Sequence, residues 1–168
     1  MVKMTDEPCC GCGANLATIT GPTHPYMLSS PACFTHFNTI LAVEYSTPDL
    51  MRVHRLTVDT WAVQHPGDET DRRAVQSVAV HLGRLMVQLD RTLTPEKTNA
   101  IILRLLKQKT DFPKFEAPVK FQITAKDVAA FAGSRSHAEK VREWAQATWN
   151  DWHHEHARIK EWVARSLA

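Results

Sequence analysis

The sequence predicts a mainly α-helical protein, a single bundle of about four to six helices with a zinc-knuckle-like segment at its N-terminus. Three observations predict it. Apolar residues recur at three- and four-residue spacings through long stretches after residue 31, proline- and glycine-bearing breaks separate those stretches, and cysteines crowd the start of the chain as CCGCG. With 168 residues, 43% of them hydrophobic and 23% charged, the chain can bury a core without disulfide staples. One domain over 1–168 is expected, with 1–36 as knuckle segment and first helix start and 37–168 as the bundle.

In chain order, Cys9 and Cys12 form C-x2-C with Gly13 directly behind, a spacing that lets a tight turn aim two thiolates at one ion. LATITGPTHPYMLSS then reads as an irregular loop that begins with a short strand at Ala17 to Thr20. Ser30 as N-cap and Pro31 at the first helical position open a helix to Tyr45. Ser46-Thr47-Pro48 breaks it. A second helix runs from about Pro48 to His65 and stops at His65-Pro66-Gly67. The third spans about Asp71 to Leu93, and the fourth follows Thr94-Pro95 to about Lys107. Gln108 to Thr124 is irregular, with a short strand at Val119 to Ile123. Thr124 and Asp127 make a capping box for a short helix, Ala125 to Phe131, and Ser136 with Glu139 another for a last helix from His137 to Leu167.

Metal chemistry is the clearest signal. Cys33 supplies a third thiolate to Cys9 and Cys12, and His36, one helical turn on, is placed to be the fourth ligand, with His24 as rival. Zinc is the default ion by ligand softness. Cys10 is spare. His54, His81 and His156 each stand on the apolar face of a different helix, which is how bundles assemble an internal metal site. A second metal held there would leave an open position for water, with Asp59 or His65 as base or orienting group. The competing explanation is that each is a hydrogen-bonded core histidine. His54 and His65, three turns apart on one helix, cannot share an ion. In WNDWHHEHARIKEW, His153 and His156 have the spacing to hold a metal, although a solvated helix face over packed tryptophans explains the tract as well.

Other classes lack support. The net charge of +2 comes from interleaved acids and bases, so no nucleic-acid partner is expected. No apolar run approaches a membrane span or a signal peptide, so no membrane partner and a cytoplasmic address with reduced thiols are expected. No P-loop, G-x-G-x-x-G, G-x-S-x-G or H-E-x-x-H is present.

The Cys9 to Gly13 knuckle, GPTHPYMLSSPAC (Gly21 to Cys33), HRLTVDTWAVQHPG (His54 to Gly67), SVAVHL (Ser77 to Leu82) and the Trp/His-rich end resemble a bacterial family known as a domain of unknown function. Cys10 departs from the proline that the resemblance implies in the knuckle. The resemblance implies His24 more than His36 as fourth ligand, a shared architecture, and no activity.

The expectation is therefore a small cytoplasmic metalloprotein, read as a metal-dependent hydrolase or lyase acting on a small molecule in a His-lined bundle pocket. The alternatives are a zinc-stabilised, non-catalytic interaction module and a metal or redox sensor using Cys10.

Overall fold

A computed structural model of the chain describes residues 5–107 and 112–168. Gln108 to Asp111, the start of the irregular stretch expected from the sequence, lies outside the described residues. The described residues hold seven α-helices and one two-stranded antiparallel sheet.

Strands β1 (Asp6–Pro8) and β2 (Asn15–Ala17) flank the knuckle, with Asp6 opposite Ala17, Glu7 opposite Leu16 and Pro8 opposite Asn15. The turn between them is closed by the Cys9 N–H on Ala14 O (2.8 Å) and the Gly13 N–H on Cys9 O (2.9 Å). Gly13 sits at φ +75°, a left-handed conformation that glycine adopts without steric cost. The strand expected at Ala17 to Thr20 is thus shifted to the hairpin. The one expected at Val119 to Ile123 is absent, and Val119 is fully exposed.

Helix α1 (Pro31–Ser46) begins as its residues dictate: the Ser30 hydroxyl accepts from the Cys33 N–H at 3.2 Å and Pro31 occupies the first turn. A 3-10 turn, Pro48–Leu50, leads into α2 (Met51–Val63). Helix α3 (Arg72–Leu89) is capped by Asp71, and α4 (Pro95–Leu106) by Thr94. The Thr124/Asp127 capping box opens α5 (Ala125–Ala129).

The long last helix expected from the sequence is two helices, α6 (His137–Asp151) and α7 (His156–Leu167), joined by a 3-10 turn at His153–Glu155. Imidazoles hold the break. His153 Nδ1 lies 3.1 Å from Asn150 O and His156 Nε2 lies 2.8 Å from Trp149 O, satisfying carbonyls that an ending helix leaves without partners. The buried Glu155 fixes the turn by accepting from the Glu116 N–H (2.8 Å) and Arg158 (2.7 and 2.9 Å). Ser136 makes no side-chain cap, because its backbone is already helical.

Helix α2 is central, packed against α1, α3 and α6, while α4 and α7 close over α3 and α5 lies on α1. Core side chains form one cluster running from Cys9 and Cys12 through Trp61, Leu82 and Trp144 to Val163. Trp61, Trp144, Trp152 and Trp162 are all buried in it, so these four are packing residues. No helix among the described residues is long and apolar enough to cross a membrane.

Candidate metal centre

Three short segments converge where the hairpin turn, the start of α1 and the end of α2 meet. The knuckle presents Cys9 and Cys12, the first turn of α1 presents Cys33, and the residues just past α2 present His65. All four are buried, and their ligand atoms lie within 4.8 Å of one another. Cys12 Sγ and Cys33 Sγ are 3.7 Å apart. Tetrahedral zinc with Zn–S bonds of about 2.3 Å requires sulfur pairs separated by roughly 3.8 Å, so this spacing fits one ion. The set can hold a metal ion.

The fourth donor in this group is His65, a correction to the expectation of His36 or His24. His36 follows Cys33 by one turn and is half-exposed; burial and the Lys126 charge lower its pKa. His24 turns its Nδ1 inward to accept from the Met27 N–H (3.2 Å) and the Tyr26 N–H (3.4 Å), which folds the Pro-rich loop on itself. The sequence signal for His65 is its place before Pro66-Gly67 on the row of Trp61. Nothing in local spacing links it to Cys33, 32 residues earlier.

The ring of His65 is locked. Its Nδ1–H donates to Trp61 O at 2.6 Å, which leaves the Nε2 lone pair directed at Cys33 Sγ, 3.2 Å away. Trp61 stacks on it at 4.1 Å between centroids and is itself stacked on Phe37 at 4.3 Å. Gly11 lies against the ring's other side, where an added Cβ would overlap the His65 ring and the Leu28 carbonyl oxygen. Gly67 allows a different close approach, since a Cβ there would overlap Tyr26 O and the Ala74 side chain.

Hydrogen bonding sets the three thiols apart, favouring the thiolate at Cys9 and the thiol at Cys12 and Cys33. Hydrogen bonds from Cys12 and Cys33, aided by His65 and the Ser30 N–H at 3.3 Å, hold Cys9 far below the usual thiol range against the opposing effect of burial. Cys12 gains from its bond to Cys33, but donation to Cys9, burial and the Cys9 charge outweigh this and push it up to about 12. Donation to Cys12 and Cys9, then burial, pushes Cys33 higher still. Cys10 is exposed and outside the group.

The histidines expected to share a second ion have separate partners. His54 Nδ1 donates to Glu44 Oε2 (2.9 Å), His81 Nδ1 to Asp59 Oδ1 (2.6 Å), and His156 caps Trp149. Among the described residues, only Cys9, Cys12, Cys33 and His65 bring three or more ligand atoms together. Asp59 is fully buried beside His81, taking Gln88 Nε2 at 2.5 Å and lying 3.1 Å from Arg84 Nε. His65, expected as a base, is instead in the metal group.

Glu44, a further buried carboxylate, carries no signal in the sequence expectations. Glu44 on α1 accepts from His54, from the Thr57 hydroxyl (2.5 Å) and from His137 Nε2 (3.1 Å), tying α1 to α2 and α6. His137 Nδ1 accepts the Gly133 N–H at 3.1 Å, so its proton sits on Nε2. A cleft of about 750 Å³ between Pro66 and Arg158 has both of its lining cations paired, Lys114 with Glu69 and Arg158 with Glu155.

No curated protein and no solved structure matches this chain. A family model matches residues 7–153, spanning the knuckle, the Cys3His group and the buried carboxylates Glu44 and Asp59, and its description is that of a family of unknown function. The chain belongs to that family, DUF5946.

Proposed function

We propose that the chain is a zinc-stabilised helical protein in which the ion is structural, fastening the N-terminal hairpin to α1 and α2. The observation that carries this reading is a buried Cys3His group whose fourth ligand is held in one tautomer and one orientation. Four protein donors complete the tetrahedral shell that zinc prefers, which is the pattern of structural sites, whereas catalytic sites keep a position open for water. The soft thiolates favour zinc over magnesium or calcium. Reduced thiols suit a cytoplasmic setting.

Metal-dependent hydrolysis or lysis would require an ion with an open position. His54, His81 and His156 engage three different acceptors, which favours the structural reading. Elemental analysis of the purified chain tests it: one zinc per chain is expected, lost in Cys12→Ser and His65→Ala and retained in His24→Ala and His36→Ala. Zinc retained in His65→Ala, or lost with His24, would overturn the ligand set.

A further inference from the structure

His81, bonded to the buried Asp59, lines a cavity of about 290 Å³ bounded by Tyr26 of the loop before α1, by α3 and by Leu106 at the end of α4. Neither residue belongs to the metal group, so what the cavity does is separable from the zinc. Asp59 is satisfied from inside the protein, by His81 Nδ1, by Gln88 and by the nearness of Arg84 Nε. Its role is to hold groups that face outward.

Ser77, one turn before His81 on α3, is nine-tenths buried, lines the cavity, and its hydroxyl has no hydrogen-bond partner among the described residues. A buried hydroxyl left unpaired costs stability, so its persistence at a cavity wall points to a ligand that completes it. Arg84 is mostly buried, and among the described residues its guanidinium is paired with Asp59, on the Nε side. Its terminal amino groups therefore remain to be used. Arg73 lies over the Tyr26 ring at 5.5 Å and brings a second guanidinium to the rim, held there by Asp71. With Nδ1–H committed to Asp59, His81 turns Nε2 to the cavity, where it donates to an anion only as the imidazolium, the form that the Asp59 carboxylate supports.

Two guanidinium groups, each with its charge balanced by a carboxylate on the protein side, a free hydroxyl and an imidazole form a donor-rich pocket, and Val80 and Leu106 add a short apolar wall. Planar guanidinium groups match carboxylate and phosphate oxygens. We infer that this cavity binds a small organic oxyanion, a short-chain carboxylic acid or phosphate ester, on Arg84, Ser77 and His81, with Asp59 as the positioning residue that fixes the His81 ring.

The test is a titration of the zinc-loaded full chain with inorganic phosphate and, separately, succinate, at ionic strength held constant with sodium chloride, following the His81 ring nitrogens by NMR. A saturable His81 shift with either probe is expected, weakened at least tenfold in Ser77→Ala and in Arg84→Gln, and unchanged in His154→Gln at the far end of the molecule. Saturation by phosphate alone assigns the site to phosphate esters, and by succinate alone to carboxylic acids. Ser77→Ala removes a hydroxyl that bonds nothing, so it should keep an equal or higher unfolding midpoint, and it decides the matter if Arg84→Gln does not fold. Absence of a saturable shift with both probes, or equal binding by Ser77→Ala, would overturn the assignment.

Discussion

At Gly11 the backbone of the knuckle lies flat against the His65 ring, and the smallest side chain would occupy the same space as that ring and the Leu28 carbonyl. Gly11→Ala must therefore displace either the histidine or the hairpin. Because groups that orient a ligand ring typically affect affinity by about 10–100-fold, we expect a zinc affinity loss of that order, read by competition with a chromophoric chelator. Affinity equal to wild type would mean that the knuckle can move off the ring without cost. The three cysteines were legible in the sequence because C-x2-C-G is a local turn and Ser30-Pro31 a local helix start. His65 was not, because its role comes from the packing of α2 beneath the hairpin. Its neighbour Trp61, sandwiched between Phe37 and His65, sets that packing. Local spacing points instead to His36, one turn from Cys33 on α1, but the donor atoms that gather with the thiols are those of His65.

Among the elements, α1, α2 and α6 are joined by a carboxylate with no exposed surface. Glu44 accepts three hydrogen bonds, and removing it leaves His54 and His137 facing a cavity with donors unpaired, while Thr57 keeps only its longer bond to Val53 O (3.3 Å). Breaking such a buried set by deleting one partner costs about 3–5 kcal/mol, so Glu44→Ala should lower denaturant stability by that order, with little change in zinc content. A loss under about 1 kcal/mol would show that the network contributes no more than a surface pair. Helix existence and most starts were readable, since caps and proline breaks are encoded within four residues: Ser30, Asp71, Thr94 and Thr124 all flank helices as their chemistry suggests. The break near Trp152 was not. Helical periodicity continues through it, and what interrupts the helix is long-range, the buried Glu155 reaching the Glu116 amide. The histidines that suggested a metal there satisfy the carbonyls of the interrupted helix.

For the whole molecule, the metal centre sits at one edge of a core that continues without it. Cys9, Cys12, Leu16 and Met27 join the cluster at the hairpin end, while Leu82, Leu85, Leu105, Trp144 and Ile159 fill the far side through contacts among α3, α4, α6 and α7. Chelation should therefore loosen the hairpin and lower the melting temperature without abolishing the helical signal, unlike small zinc fingers that unfold outright. An ion present at about 1,000 times its dissociation constant adds roughly 4 kcal/mol, which for a chain of this size corresponds to about 10 °C. The effect has a definite sign with pH. Binding must displace the protons that Cys12 and Cys33 retain because their thiols are pushed up, so acid competes with the ion. The gap in melting temperature between zinc-loaded and chelated protein should narrow steadily as pH falls from about 8 to about 5, as measured by circular dichroism. A gap independent of pH would place the bound ion on groups other than these thiols, and loss of all helical signal on chelation would mean that the far side of the core cannot stand alone.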